Sequence, residues 1–345
     1  MNKSHQKRAT VQDVAVIAKV SVATVSRALA KPDKVSTNTR LIVLEAVRKT
    51  GYTVNEAARN LRSQKTSTIV IFIPDIGNPF FSNIVEGIVK VFTSNNINVL
   101  ISDTHKASIF PTNALTYFSH NKVDGIIILD GLMPLESLSS TQSSPPIVFA
   151  GEWQDGTDLP VVKIDDIFGS KLAVEHLYNL GHRRFGHVTG SLNNLPGKNR
   201  LKGFIQALNN LGCDSSDTWQ FEADFLLASG RRAAHDWFAL PISERPTGIF
   251  CAGDEMAFSF MSTLTKLGIN VPKDVSVVGY DDLLVAEYFV PALTTIHQPR
   301  RALGALAAET LLSLIERPGY TRPKPIKPYL VTRDSTAPPI NHFHG

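Results

Sequence analysis

The chain has 345 residues, of which 43% are hydrophobic and 19% charged, so it is long enough for two or more globular domains. It contains no apolar run near the roughly 20 residues that span a bilayer and no apolar signal core after Met1–Thr10, so we expect a cytoplasmic protein without a membrane partner. Charge is divided unevenly along the chain. Residues 1–62 carry 12 Lys and Arg against 4 Asp and Glu, whereas the remainder is mildly acidic. This division favours binding of a polyanion at the N-terminal end.

Residues 1–51 are predicted to form an all-α headpiece of three helices, each with a residue that favours its start. The predicted helices are Val11 to about Lys19 after Thr10, Val22–Ala30 after Ser21, and Thr37–Thr50 after Ser36 and before Gly51. The junction Lys19-Val20-Ser21 is short, so these two helices must cross steeply. That arrangement is typical of a helix-turn-helix, whose second helix lies in the major groove of DNA.

The second helix leaves three side chains outward near its start, Val22, Ala23 and Arg27. An arginine can read guanine through two hydrogen bonds, and small apolar side chains suit a thymine methyl group. Two alternatives stay open at this point. Arg27 could contact a phosphate instead of a base, and the three helices could form a bundle with no role in DNA binding.

A longer run of residues follows a family pattern. It comprises Val11-Gln-Asp-Val-Ala, Val20-Ser-Val-Ala-Thr-Val-Ser-Arg27-Ala-Leu, Thr39-Arg40 and Gly51-Tyr52, and it closely resembles the headpiece of LacI/GalR-type transcription regulators. The resemblance implies a homodimer that binds double-stranded DNA at a palindromic operator. The DNA-contacting positions that we expect are Thr10, Ser21, Val22, Ala23, Thr24, Ser26, Arg27, Thr39, Tyr52, Asn55, Ala58, Arg59 and Leu61.

Residues 52–66 match the hinge helix and linker of that family. Leu61 occupies the position of the lever leucine, a wedge that unstacks a central base step and kinks the duplex. Ala58 is small enough for the hinge helices of two subunits to approach closely. The family usually has proline before the asparagine, whereas this chain has Val54, so the start of the hinge helix is less sharply defined.

From residue 67 to 339 apolar strands alternate with amphipathic helices, which predicts α/β structure with parallel sheets flanked by helices. The predicted strands are Thr68–Pro74, Asn98–Ser102, Val123–Leu129, Pro146–Ala150, Arg184–Thr189, Gly248–Ala252 and Ser276–Gly279. The predicted helices are Phe80–Ser94, Pro111–Asn121, Gly169–Leu180, Lys198–Leu211, Gly230–Phe238, Asp254–Leu267 and Arg301–Glu316.

These elements exceed one Rossmann unit, so two lobes are expected, and the segment resembles the periplasmic-binding-protein fold. Lobe 1 is predicted at about 67–164 and 296–324, lobe 2 at about 165–294 and 326–339, and residues 340–345 form a tail. The chain would cross between lobes near Asp165, Thr295 and Lys324.

Ligands of open parallel sheets bind beyond the carboxyl ends of the strands, which selects a set of polar and aromatic residues. The candidates are Phe80, Phe81, Asp130, Glu152, Asn199, Arg200, Phe225, Asp254 and Asp281. The family resemblance implies that the arginine of Arg-x-x-Gly-Phe (Arg200) and the aspartate of Gly-Tyr-Asp (Asp281) hold an effector, on which Phe81 and Phe225 pack. Phe80 is equally consistent with a core position, and Asp254 with a helix cap.

The sequence leaves the effector open between a nucleoside and a sugar. The segments Ser-Pro-Pro146-Ile-Val-Phe-Ala-Gly-Glu152-Trp, Ser229-Gly230 and Phe250-Cys-Ala-Gly-Asp254 look most like the cytidine-responsive branch of the family. The segment Thr294-Thr-Ile-His-Gln-Pro299 is shared more widely, including with the purine-responsive branch.

Two other functions are less consistent with the sequence. An enzyme is disfavoured because Gly190 to Asn199 lacks the glycine spacing and the Ser/Thr of a phosphate loop, and no catalytic serine elbow or zinc motif is present. A transport-type binding protein would need an export signal and no basic head. No metal or cofactor is expected, because Cys213 and Cys251 lack ligand spacing and His342 and His344 lie in the tail.

The predicted mechanism couples the two ends of the chain. Two subunits would pair through lobe 1, and a ligand between the lobes would change their relative angle and thereby the separation of the hinge helices. The sequence does not decide between an inducer and a corepressor.

Overall fold

The computed structural model describes residues 9–30, 32–53, 65–104, 122–133, 145–317 and 321–340. The chain forms two compact units, Met1–Thr66 and Ser67–Gly345. Several predictions lie outside the described residues: the hinge positions Asn55, Ala58, Arg59 and Leu61, the helix at 111–121, and the histidines of the tail.

The N-terminal unit contains α1 (Val11–Ala18), α2 (Val22–Ala30) and α3 (Thr37–Thr50), with one 3-10 turn at Pro32–Lys34 between the last two. The predicted caps are present. The Thr10 hydroxyl accepts a hydrogen bond from the Asp13 backbone N–H while the Asp13 carboxylate accepts from that of Thr10, which is a capping box. The first helix ends one residue earlier than predicted because Lys19 adopts a left-handed conformation (φ 52°).

Seven small or β-branched side chains form the buried centre of this unit. They are Val14, Ala15, Ala18, Val25, Ala28, Val43 and Ala46. Helix α1 packs against both α2 and α3, so the outer face of α2 remains free for other contacts.

The C-terminal unit contains two sheets with helices on their faces, which confirms the predicted fold class. Its strands are β1 (Thr68–Ile73), β2 (Asn98–Asp103), β3 (Gly125–Ile128), β4 (Ile147–Ala150), β5 (Val161–Val162), β6 (Phe185–Val188), β7 (Trp219–Phe221), β8 (Gly248–Cys251), β9 (Ser276–Asp281), β10 (Thr294–His297) and β11 (Tyr329–Val331). Its helices are α4 (Phe80–Ser94), α5 (Asp166–Asn179), α6 (Leu195–Asn210), α7 (Leu227–Ala239), α8 (Asp254–Lys266), α9 (Val285–Tyr288) and α10 (Arg300–Glu316).

Each lobe is built on one sheet. Lobe 1 has the strand order β2-β1-β3-β4-β5, with all described pairs parallel. Lobe 2 has the order β11-β10-β9-β8-β6-β7, in which only the β10–β11 pair among the described strands is antiparallel. The central strands are buried on both faces, as expected where helices cover a parallel sheet.

The chain passes between the lobes at three places. A parallel bridge joins Ile164 to Ile326 and brings two of the crossings side by side. At the third, β10 of lobe 2 leads into α10, which packs on α4 and β4 of lobe 1. The predicted lobe boundary at 294–296 falls inside β10, since this strand pairs with β9 as far as His297.

Helices α4 and α10 of lobe 1 touch backbone to backbone. A Cβ atom added at Gly87 would lie 2.2 Å from the Arg301 carbonyl oxygen, and one at Gly304 would lie 2.0 Å from that of Ile84. No larger residue fits at either position without moving the helices apart. Among the described helices, none has the length and apolar character needed to cross a membrane.

Candidate functional site

A partly open cleft lies between the two lobes, at the carboxyl ends of their strands, with about 640 Å³ of empty space including its mouth. Six of the nine predicted effector residues line it: Phe80, Phe81, Glu152, Arg200, Phe225 and Asp281. Lobe 1 contributes the first three and lobe 2 the others.

Arg200, from the second turn of α6, is the centre of a charged network on the lobe 2 side. Its Nε donates a hydrogen bond to Asp166 Oδ1 at 2.9 Å, and its Nη1 donates to the Ala252 carbonyl oxygen at 2.6 Å. The same Nη1 lies 3.7 Å from Asp281 Oδ1. Burial alone would lower the pKa of Arg200, but Asp166, Tyr280 and Asp281 together raise it above its ordinary value. The guanidinium is therefore always charged.

Asp281 ends β9 and brings a carboxylate to the same wall. Its Oδ1 accepts a hydrogen bond from Gln298 Nε2 at 2.6 Å, and its backbone has a positive φ of 123°. Burial raises the pKa of Asp281 to about 6 despite the nearby Arg200 and Arg300. A non-glycine residue held in this backbone region costs energy, and such residues occur mainly at functional sites.

Glu152 follows β4 and places a second carboxyl group in the lobe 1 wall. It accepts hydrogen bonds from Asn194 Nδ2 at 3.2 Å and from the Gly131 backbone N–H at 3.4 Å. Asn194 caps α6 of lobe 2, so this contact joins the lobes across the cleft. Burial raises the pKa of Glu152 to about 7, and the negative charge of Asp130 acts in the same direction.

Phe225 supplies an aromatic face in lobe 2, from a backbone position with φ 69° just before α7. Its ring fills the space beside Gly190, where an added Cβ would lie 1.9 Å from Phe225 Cζ. On the other side, Phe80 and Phe81 meet edge to face with ring centres 5.1 Å apart. Aromatic faces on both walls suit a flat ring or the apolar side of a sugar.

The structure places three of the predicted residues away from the cleft lining. Asp254 is fully buried, where its carboxylate accepts hydrogen bonds from the Leu283 backbone N–H at 2.7 Å and from Thr295 Oγ1 at 2.6 Å. Asp130 instead accepts from Thr104 Oγ1 at 2.6 Å and from the Leu132 backbone N–H at 2.9 Å. Both carboxylates thus stabilise turns next to the site.

Asn199 precedes Arg200 on α6 and is the third of these residues. Because consecutive helical residues point about 100° apart, only one of the two can face the cleft. Arg200 is buried against the site, whereas Asn199 is half-buried on another face of the helix.

Four polar residues outside the nine candidates also line the cleft: Asn78, Asp166, Glu255 and Gln298. Asp166 is the first residue of α5, where an acidic side chain is ordinary for the start of a helix. Gln298 follows β10, a strand that was not predicted. A search of strand ends would have found Gln298 if β10 had been recognised. In the described residues no group of three His, Cys, Asp or Glu is placed to hold a metal ion.

The candidate DNA-reading surface is the outer face of α2. Val22, Ala23 and Arg27 are all exposed there, as the periodicity predicts. At the start of the helix the Ser21 hydroxyl lies 2.9 Å from that of Thr24 and accepts the Thr24 backbone N–H.

The remaining described DNA candidates lie around this helix. Ser26 is half-buried on α2, and Thr39 is half-buried on α3, where its hydroxyl lies 2.8 Å from that of Ser36. Thr10 caps α1, and Tyr52 packs on the buried centre of the unit.

Comparisons with known proteins cover both units. Residues 10–55 match the model of bacterial regulatory proteins of the lacI family, and residues 174–336 match that of the periplasmic binding protein-like domain. The HTH-type transcriptional repressor CytR of Escherichia coli K12 is 35% identical over 315 residues, covering 91% of this chain and 92% of the relative.

Solved structures agree with the sequence relatives. The lac repressor dimer bound to operator and the anti-inducer ONPF superposes with a TM-score of 0.82 at 27% identity, covering 96% of this chain and all of that one. A LacI family regulator from Enterococcus faecium with bound ribose superposes with a TM-score of 0.70 at 28% identity, covering 79% of this chain and 99% of that one.

The headpiece match, the two-lobed core and a relative with 35% identity over nearly the full length agree with one another. The chain belongs to the lacI family of bacterial regulatory proteins.

Proposed function

We propose that this chain is a transcriptional repressor whose affinity for operator DNA is controlled by a small molecule bound in the cleft between the lobes. The observation that carries the proposal is the cleft itself. A buried arginine, Arg200, and a buried carboxylate, Asp281, converge there with three phenylalanine rings from both lobes. Charges so deeply buried are costly unless they are paired, which is expected of a built binding site rather than of core packing.

The effector that fits this lining is a nucleoside or a sugar. Carboxylates and a guanidinium bind hydroxyl groups, while the rings of Phe80, Phe81 and Phe225 offer faces to a base or to the apolar side of a pyranose or furanose. Two further observations support this class of ligand. A regulator similar over 79% of this chain was solved with ribose. The segments around Glu152 and Asp254 resemble the cytidine-responsive branch.

DNA binding is assigned to the N-terminal unit. Arg27, Val22 and Ala23 would read base edges in the major groove. The predicted hinge positions, with Leu61 as the wedge, would contact the minor groove. A homodimer would place two headpieces on the halves of a palindrome, in line with the operator-bound dimer of the lac repressor. A protein with this role works in the cytoplasm, on the chromosome.

The coupling between the two sites follows from the crossings between lobes. The hydrogen bond between Glu152 of lobe 1 and Asn194 of lobe 2 spans the cleft. A ligand that binds in the cleft would therefore change the contacts between the lobes. A ligand shifts the balance between two lobe arrangements only as far as it binds one of them better. The predicted hinge helices are too short to be stable in isolation, so they would transmit the change in lobe arrangement to the DNA.

A thermal-shift titration of the full chain tests the binding proposal, with nucleosides, purine bases, pentoses and hexoses as probes. A ligand at a hundred times its dissociation constant stabilises the folded state by about 2.7 kcal/mol, which raises the melting temperature measurably. Phe225→Ala should abolish the shift, whereas Phe238→Ala, a half-buried ring of α7 outside the cleft, should leave it intact. Equal loss in both variants, or no shift with any probe, would contradict the proposal.

A further inference from the structure

The charges that line the cleft are predominantly negative. Among the described residues of the lining, Arg200 is the one cation, and it faces four acidic side chains, which are Glu152, Asp166, Glu255 and Asp281. A second arginine, Arg300, is buried nearby, but its guanidinium donates to the carbonyl oxygens of Phe80 and Asp282, at 3.3 and 2.9 Å. The cleft therefore offers an incoming ligand more negative than positive charge.

Asp166 forms an ion pair with Arg200, the one cation among the described lining residues. It is 4% exposed, and its Oδ1 accepts the Arg200 Nε–H at 2.9 Å and the Tyr280 hydroxyl at 3.2 Å. The Arg200 guanidinium carbon also lies over the Tyr280 ring, 3.9 Å from its centre. Its charge is thus paired within the protein before any ligand arrives.

A phosphate monoester would meet an unfavourable field in this site. It carries a charge of about −1.5 to −2 near neutral pH. Binding would require it to approach Asp281 and Glu152, while Arg200, the one cation among the described lining residues, is already paired with Asp166. Charge interactions are strong in such a partly desolvated cleft. A neutral hydroxyl group meets no such penalty, because carboxylates accept hydrogen bonds from hydroxyls.

We infer that Asp166 is a specificity-determining residue, which makes the cleft accept uncharged nucleosides or sugars and reject their phosphate monoesters. The inference rests on the proposed function and adds to it the charge of the effector. Asp166 acts through Arg200. An aspartate at position 166 neutralises the charge of Arg200, whereas a neutral residue at this position would leave that positive charge available to a phosphate.

The test compares each uncharged probe with its phosphate at pH 8, where the phosphate is fully ionised. Isothermal titration of the full chain would use cytidine with cytidine 5′-monophosphate and ribose with ribose 5-phosphate. We expect at least one pair in which the uncharged member binds about tenfold tighter or more, as expected for uncompensated charge at short range. Equal affinities, or binding of a phosphorylated member alone, would overturn the inference while leaving the proposed effector site standing. Binding of none of the four would overturn the proposed ligand class together with this inference.

Two variants assign the preference to Asp166. Asp166→Asn keeps an oxygen for the Arg200 Nε–H and the Tyr280 hydroxyl but removes the charge, so the preference for the uncharged member should fall about tenfold. Glu175→Gln is the matched control: it removes a negative charge from the same helix, α5, but Glu175 lies outside the cleft lining, with its Oε1 3.6 Å from Lys171 Nζ. Its preference should change by less than about threefold. Equal changes in the two variants, or none in Asp166→Asn, would overturn the assignment.

Discussion

Single residues of the cleft carry charges that an ordinary protein interior excludes. Arg200 and Asp166 are at most 5% exposed, and each would be costly to bury alone. They are tolerated because they pair with each other, with the Ala252 carbonyl oxygen and with Asp281. Removing one partner would leave a buried charge uncompensated, which is why isosteric substitutions are the informative ones at this site.

Arg27 is predicted to read a base rather than only to hold a phosphate. Arg27→Ala should cost about 1–3 kcal/mol on the cognate operator and relax base preference, because the two hydrogen bonds to guanine are lost. Fluorescence anisotropy with cognate and random duplexes measures both effects.

Arg27→Lys is the matched control for charge at this position. It retains the positive charge but loses the planar fork that contacts a base through two bonds. We expect Arg27→Lys to lose base preference almost as fully as Arg27→Ala. Because it keeps the positive charge, Arg27→Lys should bind random DNA more tightly than Arg27→Ala does. An equal loss on cognate and random DNA in Arg27→Ala would instead make Arg27 a phosphate contact.

Glu152 is predicted to make the protein less stable as pH rises toward neutrality. Burial raises its pKa to about 7, above the ordinary glutamate value of 4.5, so between these pH values the folded state keeps a proton that the unfolded state has lost. Stability from this group is therefore present below about pH 4.5 and is lost as pH rises through 7. Glu152→Gln should remove this loss, worth about 1–3 kcal/mol between pH 5 and 8.

Urea denaturation at several pH values measures the difference between Glu152→Gln and the parent. The difference is the useful quantity because other groups titrate in the same range. Burial raises the pKa of Asp281 to about 6 and lowers that of His182 to about 4, with opposite effects on stability. Parallel stability curves for the two proteins would show that Glu152 is ionised in the folded state throughout.

Six of the nine predicted site residues line the cleft, because parallel strands end at one edge of a sheet. That rule identified Glu152, which follows β4, and Asp281, which ends β9. It could not tell which way a side chain turns once the strand has ended, and Asp254 turns inward to the Leu283 backbone N–H. It also passed over Asp166, whose position at the start of a helix has an ordinary structural explanation.

At the scale of secondary structure, the long elements were predictable and the short ones were not. Helices α2, α3 and α4 have the bounds that apolar periodicity and capping residues indicate. Strands β5, β7 and β11 have two or three residues each, too few for a periodic signal, and their pairing depends on neighbours distant in sequence. The helices α5 and α6 begin three residues earlier than predicted, since a glycine in each first turn, Gly169 and Gly197, weakens the helical signal.

The packing of α4 against α10 gives a prediction for lobe 1. Gly304→Ala should destabilise the protein by about 1–3 kcal/mol, because the new methyl group would overlap the Ile84 carbonyl oxygen and force the helices apart. Ser313→Ala, at an exposed position of the same helix, should change stability by less than about 0.5 kcal/mol. Urea denaturation of both variants measures this, and similar midpoints would contradict the close contact.

At the scale of the whole molecule, three chain crossings tie the lobes together and leave a cleft between them. The chain enters lobe 2 beside Ile326, and Arg300 at the start of α10 contacts Phe80 of lobe 1 and Asp282 of lobe 2. A ligand between the lobes thus meets residues from both and can favour one relative arrangement. Control of the headpiece requires only that this arrangement alter how the hinge segments of two subunits meet.

The measurement that tests the central claim most directly is an operator titration with and without the effector. A labelled duplex, selected from a randomised pool by the full chain, would be titrated by fluorescence anisotropy in the presence of the ligand identified by thermal shift. We predict that the ligand changes the operator dissociation constant by about tenfold or more, a coupling free energy of roughly 1.4 kcal/mol. The Phe225→Ala variant should bind the operator with an affinity that the ligand no longer changes. An operator affinity that stays the same while the ligand fills the cleft would contradict it.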